Sequence, residues 1–493
     1  MKKLEVLFVH PNASGKIYQS LSKDFSAIEP PIWAALLANG VRAKSHSVAI
    51  LDCEAERLSV DESVKKINEF NPHLIAIPVY GQQPSASTQN MTGVSSLVTK
   101  LKQEYPEYKI ILLGLYPSAL PAKTLNDEKV DFVAQGEGLY TILDLLQVQN
   151  LDDNSQLKNV RSLWYRDNGL PVVTQIVEKV PQELLHTELP GMAWDLLPMD
   201  KYRTSNWHAF SNNNQTSPFA SLYTSLGCPY KCTFCCINAP FGGSGFRYWS
   251  PEVMISQFDK IAEMGITNIK IADELFVLRT DHFMNLCELI HKRGYKFNIW
   301  AYARIDTIKE KYLETLKKAG INWLALGIES GVTSVRKDVV KGKFEDVNIR
   351  DIIKKIHAFD ISVIGNFIFG LPEDTIESMQ ETLNLSLEVD CEMVNFYSCM
   401  AYPGSALYQT SIDSGLELPD SYVGFSQHSY ECKPLATKHI SASEVLKFRD
   451  HAFNQYFTNE KYLNFVRNKF GEGTYQNIQE MTKNTLKRQL LGD

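Results

Sequence analysis

Through about residue 400 the chain reads as two successive series of short apolar runs alternating with amphipathic stretches of helical period, and this feature most narrows the choice of fold. In the first series "LEVLFV", "AKSHSVAIL", "HLIAIPVY", "KIILLG" and "VDFVAQGEG" are separated by stretches such as "PPIWAALLANG" and "SLVTKLKQEY". Strands that alternate with helices lie parallel, because each helix returns the chain across the sheet. Residues 1–150 are therefore expected to form a doubly wound, Rossmann-like α/β domain whose ligand sits beyond the carboxyl ends of the strands. The second series predicts strands at 220–226, 268–273, 297–302, 322–328, 361–368 and 392–398, with helices near 252–264, 280–293, 309–319, 347–358 and 375–388. Such units imply a partial (β/α)6 barrel of the TIM type over 216–400, again functional at its strand ends. Residues 151–215, with "DDNSQ" and "SNNNQT", lose this rhythm and read as a connector, and 401–493 as a mainly helical C-terminal region.

Composition enters as exclusion. A formal charge of −7 on 493 residues argues against a polyanion binder, so no nucleic-acid partner is expected. The start, "MKKLEVLFVH", is broken as a leader by Glu5 and His10, and no stretch approaches the length of a membrane span. A cytoplasmic protein with no membrane partner is expected. Of nine cysteines, Cys53, Cys287, Cys391, Cys399 and Cys432 are scattered, which is no disulfide framework for a reducing compartment.

The other four crowd into "CPYKCTFCC", just after the first barrel strand. Cys228, Cys232 and Cys235, at spacings of four and three, suit an iron-sulfur cluster with one iron left open to a substrate. Structural zinc draws four ligands from two separated pairs, and no second pair is evident, so spacing favours the cluster over zinc, with a redox thiol pair behind both. Cys236 reads as a buried neighbour. In the first series the strand ends carry His10, Pro11, Asn12 and Ser14, then Asp52, then Tyr80, Gly81, Ser85, Ser87 and Thr88. Gly114 and Ser118 follow the fourth strand, and Gly136, Glu137 and Gly138 the fifth. Turn and cap chemistry explains any one of these, and only their joint placement favours a site. "SPE" at 250–252 is a helix start and is assigned to structure.

"CPYKCTFC" resembles the CxxxCxxC signature of radical S-adenosylmethionine (SAM) enzymes, including the aromatic Phe234 before the third cysteine. The similarity extends to "ADELF" (Asp273, Glu274), "YARID" (Arg304, Asp306), "LGIESG" (Glu329, Ser330) and "GNFIFGLPEDT" with Gly370. Residues 1–150 resemble the cobalamin-binding domain of the subclass that joins such a sheet to the radical barrel, down to "EPPIWAALL" and "GQQPSAST". This resemblance implies a 4Fe-4S cluster on Cys228, Cys232 and Cys235, and SAM on Phe234, Asp273, Glu274, Arg304, Glu329, Ser330 and Gly370. It implies cobalamin on Asn12, Asp52, Tyr80, Gly81, Ser85, Ser87, Thr88, Gly114, Gly136, Glu137 and Gly138. No catalytic acid or base is assigned, because the implied adenosyl radical takes hydrogen from an unactivated carbon and the protein's part is positioning and exclusion of water.

The sequence departs from the family in two places. The Asp-x-His-x-x-Gly segment that ligates cobalt from below is lacking in residues 1–150; His10 and His73 read as ordinary histidines, and Tyr80 or Gln82 as cover for the lower face. "LLGLYPSALP" stands where a Gly-Gly-His stretch is more usual, with Leu115 and Tyr116 at the contact. The implied activity is that of a cobalamin-dependent radical SAM C-methyltransferase, acting on a small molecule and fed electrons by a donor such as flavodoxin or ferredoxin. Tyr397, Cys399 and Tyr402 are candidates to face that substrate. The alternatives are a radical cyclase or rearranging enzyme that transfers no methyl group and, from another class, a cobalamin-sensing protein.

Overall fold

The computed structural model describes residues 3–22, 25–177, 179–210, 215–339 and 347–493, and the side chains of Pro84 and Ser85 lie outside the described set. The first sheet holds β1 (Leu4–His10), β2 (Val48–Asp52), β3 (Pro72–Val79), β4 (Lys109–Gly114), β5 (Phe132–Ala134), β6 (Leu163–Asp167) and β7 (Leu170–Val173), in the order β2-β1-β3-β4-β5-β6-β7. The first five are parallel and the last two antiparallel, so the stretch read as a connector extends the sheet by a hairpin. The order reverses at β1, which pairs with both β2 and β3, and the cleft beyond the ends of β1 and β3 is the switch point where open α/β sheets bind ligands.

Alternation along β1 divides the core. Val6 and Phe8 pack into one apolar cluster that continues through the barrel, while Leu7 and Val9 pack into a second, under the helices Val60–Phe70 and Met91–Glu104. Both faces are covered, as a parallel sheet requires. Helix entry is fixed locally: Ser59 and Glu62 form a reciprocal capping box, as do Ser441 and Glu444 in the C-terminal region.

The barrel begins with β8 (Phe219–Leu222) and a small hairpin of β9 (Ser225–Leu226) and β10 (Arg247–Tyr248). It continues with β11 (Asn268–Ile271), β12 (Asn298–Arg304), β13 (Ile321–Glu329), β14 (Ser362–Phe369) and β15 (Met393–Ser398). The six long strands are all parallel and lie side by side in chain order, an open barrel wall. Its helices Pro251–Glu263, Thr280–Arg293, Glu310–Lys318, Ile349–Ala358 and Ile376–Glu388 fall where periodicity put them. Ser250 caps the first of these, accepting from Val253 N. The expected strand 220–226 is split, because the chain turns at Tyr223–Thr224 before β9.

The two domains are locked together through buried charge. Arg247 on β10 pairs with Glu137 beyond β5, both nearly inaccessible, and the same carboxylate accepts from Val180 N at 2.6 Å. Lys270 on β11, 2% exposed at its side chain, reaches Glu29 of the N-terminal domain at 2.8 Å and donates to Gln82 O at 2.7 Å.

Candidate active site

The strand ends of both domains and the C-terminal helices enclose a cavity of about 570 Å³, within the range that holds cofactor-sized ligands. Cys228, Cys232 and Cys235 all line it, with Phe234 between the last two, whereas Cys236 is buried away from it. The loop is held from several sides. Cys228 N donates to Asn238 Oδ1 (3.3 Å), Gly245 N to Cys228 O (3.1 Å) and Thr233 N to Val339 O (2.8 Å). Burial pushes the Cys228 thiol up to about 11 and Cys232 up to about 12, and raises Cys235 as well. These thiols become thiolates only if a cation compensates. Among the described residues no three His, Cys, Asp or Glu side chains converge as a single ion requires. A cuboidal cluster asks instead for one thiolate per iron along a shared wall, and the three half-buried cysteines on this cavity fit that demand.

Glu274, Arg304 and Glu329 face the same space. Burial pushes the Glu274 carboxyl up to about 8, with Asp273 adding to the rise and Lys270 opposing it. Burial takes Glu329 up to about 7 against the pull of Arg304. Glu329 has φ +66°, and the β13–β14 register shifts between Gly327 and Glu329, so a strained bulge aims this carboxyl. Arg304 donates to Asp306 through Nε at 2.6 Å and lies 3.7 Å above the Tyr230 ring, tying the cysteine loop to β12.

Three residues expected at SAM do not line the cavity. Asp273 turns back to the β8–β9 corner, accepting from Thr224 N (2.6 Å), Thr224 Oγ1 (2.5 Å) and Ser225 Oγ (2.6 Å), so it shapes the strand that delivers the cysteines. Ser330 is buried against Thr382, and its Oγ accepts from Val332 N. Gly370 adopts φ +81° in a turn whose amide donates to Asp374, and a Cβ there would meet Val445 at 2.5 Å.

In the N-terminal domain a smaller cavity of about 50 Å³ lies at the switch point, lined by His10, Tyr80, Gly81 and Gln82 and by Tyr223 of the barrel. It shares Tyr18, Glu29 and Gln82 with the large cavity. The Tyr80 hydroxyl is buried without a partner among the described residues, and its ring stacks on Trp33 at 4.9 Å. A buried orphan hydroxyl suits a bound molecule carrying polar groups, and the large cavity reaches the same loops through Gln83, Ala86 and Gln89, so the site fits cobalamin. His10 lines this cavity, and its Nε2 lies 3.3 Å from Glu54.

The other expected cobalamin residues are held within the protein. Asn12 donates to Leu58 O and accepts from Ser14, and Asp52 accepts from Glu54 N, Ala55 N and Tyr202 OH. Ser87 Oγ accepts from Gly81 N, and Thr88 is buried. Glu137 is spent on Arg247. Gly114, Gly136 and Gly138 take φ of +111°, +110° and +86°, and a Cβ on Gly114 would meet Val79 O at 2.5 Å, so the glycine serves the sheet. Ser85 lies outside the described side chains.

Sequence reasoning missed Lys270 and the C-terminal wall. Tyr397, Cys399 and Tyr402 do line the large cavity, joined by Arg449, Asp450 and His428. Lys270 had a signal, a lysine between isoleucines in a central strand; so did Arg449, on the buried stripe of Val445, Ala452 and Tyr456.

A model of the radical SAM superfamily matches residues 222–386, and a B12 binding domain matches 22–146. The chain is 27% identical over 467 residues to an uncharacterized methyltransferase of Pyrococcus horikoshii, covering 94% of each. It is 24% identical to cytidylyl-2-hydroxyethylphosphonate methyltransferase of Streptomyces wedmorensis, over 84% of this chain and 83% of that one. Among solved structures, the radical SAM methyltransferase TsrM from Kitasatospora setae, with tryptophan and a SAM analog bound, superposes with TM-score 0.67 at 14% identity, covering 99% of this chain and 97% of that one. Such a likeness shows a shared fold. Among the described residues no helix is long and apolar enough to cross a membrane.

Proposed function

The chain belongs to the radical SAM superfamily, in the group that carries a B12-binding domain, and from this premise we propose that it is a C-methyltransferase acting on an unactivated carbon of a small molecule. The observation that carries the reading is the single cavity, onto which open the three cysteines, Glu274, Arg304, Glu329 and the loops after β3. Cys228, Cys232 and Cys235 would hold the 4Fe-4S cluster, and Phe234, Glu274, Arg304 and Glu329 would bind SAM against it. Asp273, Ser330 and Gly370 would act from behind, fixing the strand ends. Tyr80, Gly81 and Gln82 would meet cobalamin, with the buried residues Asn12, Asp52, Ser87, Thr88, Gly114, Gly136, Glu137 and Gly138 setting the shape of its seat, alongside Ser85. When bound, these groups supply one-electron reduction and a transferable methyl group.

The chain's own contribution is electrostatic and steric. Glu329 and Glu274, buried with raised pKa, keep proton-dependent charge where SAM's ribose and amino groups would lie. Trp300, Tyr302 and Phe396 line the cavity and would exclude water from it. We place the enzyme in the cytoplasm, reduced by flavodoxin or ferredoxin.

The test is anaerobic turnover with candidate substrates. A methylase consumes one SAM for the methyl group and another for the radical, so S-adenosylhomocysteine and deoxyadenosine should accumulate in about equal amounts with a product heavier by one methylene. Deoxyadenosine with rearranged product and no S-adenosylhomocysteine would overturn the proposal in favour of a cyclase.

A further inference from the structure

Arg449 sits on the buried face of the helix Ala442–Phe457, 6% exposed, and lines the large cavity. Its Nε donates to Phe396 O at 2.8 Å and its Nη1 to Asp450 Oδ1 at 2.8 Å. Asp450 is already committed elsewhere. Arg488, 1% exposed, holds both of its oxygens at 2.9 Å. Two buried guanidiniums thus share one carboxylate. His428 adds no charge, because burial and then Arg449 and Arg488 lower its imidazole to about 3. A surplus buried cation is costly unless a counter-charge is supplied. Arg449 still has Nη2, which makes no hydrogen bond among the described residues. Tyr397, on β15, is felt by both Arg449 and Glu329, so the cavity runs from carboxyls near the cysteines to a guanidinium at the C-terminal wall. Phe453, Ile478 and Met481 add apolar surface to that wall, among Asn454, Asn477 and Asn484.

Resting on the methyltransferase reading, we propose that the substrate carries an anionic oxygen group, carboxylate or phosphonate, on an apolar body, and that Arg449 binds that group as a specificity determinant. The test needs no turnover. Phenylacetate, phenylphosphonate and the neutral isostere phenylacetamide are titrated calorimetrically into holoenzyme that carries cluster, cobalamin and S-adenosylhomocysteine. At least one anion should bind about tenfold or more tighter than the amide, the scale of one charge-assisted hydrogen bond, and which anion is preferred names the group. Arg449→Met should abolish the preference, and Arg449→Lys should keep part of it, with cobalamin and S-adenosylhomocysteine retained in both. Equal binding of the three probes to wild type, a preference that survives Arg449→Met, or loss of either cofactor from both variants would overturn the proposal. Failure of the methyltransferase reading would show in the turnover products, not in this discrimination.

Discussion

The strand ends of the two sheets have the same topological role but opposite chemistry. Beyond the N-terminal sheet, Asp52, Asn12, Ser87 and Glu137 are consumed by protein partners, and the glycines answer to backbone geometry. Beyond the barrel, Glu274 and Glu329 stand on an open cavity with raised pKa, and three thiols share the same wall. One topological position is thus built in two chemically different ways. The first surface would suit a large, largely uncharged cofactor recognised mainly by shape, with the unpartnered Tyr80 hydroxyl left to meet it. The second would suit a reactive centre met by carboxyls that burial leaves only partly compensated, Glu274 by Lys270 and Glu329 by Arg304.

The largest effect that would break this contrast is at the cysteines. Cys228→Ala, Cys232→Ala and Cys235→Ala should each remove the cluster entirely, read as iron, sulfide and visible absorbance, while Cys236→Ala should keep it. Equal iron loss in the Cys236 variant would mean that the wall is misassigned. Next comes the lock between the regions. Arg247→Met leaves Glu137 buried without its counter-charge and should cost about 3–5 kcal/mol in denaturant unfolding, and adding Glu137→Gln should recover much of it. An unchanged single variant would show that the interface is not held by this pair.

A smaller effect sharpens the contrast through pH. Glu274 and Glu329 have folded-state pKa near 8 and 7 against a usual 4.5, so they bind protons more readily folded than unfolded. Their contribution to apoprotein stability is fully present below about pH 4.5 and is lost as pH rises through 7 to 8. Glu329→Gln should flatten that decline, by up to about 3 kcal/mol across the window. The denaturation midpoint between pH 5 and 8.5 reads it, and an unaltered slope would place Glu329 in a more solvated setting.

Legibility in the sequence followed the range of the interaction. The alternation that predicts six barrel strands and five parallel N-terminal strands is local, and so is the spacing of the cysteines. The hairpin β6–β7 escaped because "DDNSQ" and the residues around it have loop composition, although β6 pairs with β5 and β7 with β6. Asp273 and Glu274 are adjacent in sequence, yet one turns into the β8–β9 corner and the other faces the cavity; only the pairing with Thr224 and Ser225 separates them. Lys270 with Glu29, Arg247 with Glu137, and Arg449 with Phe396 join residues far apart in the chain. A periodicity marks such residues as odd, a lysine in an apolar strand or an arginine on a buried stripe, without saying what each meets.

With the cluster on Cys228, Cys232 and Cys235 and cobalamin beyond β3, the two metal centres would face one cavity. Pulsed EPR on the anaerobic, reduced holoenzyme, with cob(II)alamin and the one-electron-reduced cluster in the same molecule, tests that arrangement most directly. Dipolar coupling between the two spins should be resolved, retained in Arg449→Met and abolished with the cluster in Cys232→Ala. Two uncoupled spectra from fully loaded protein would contradict it.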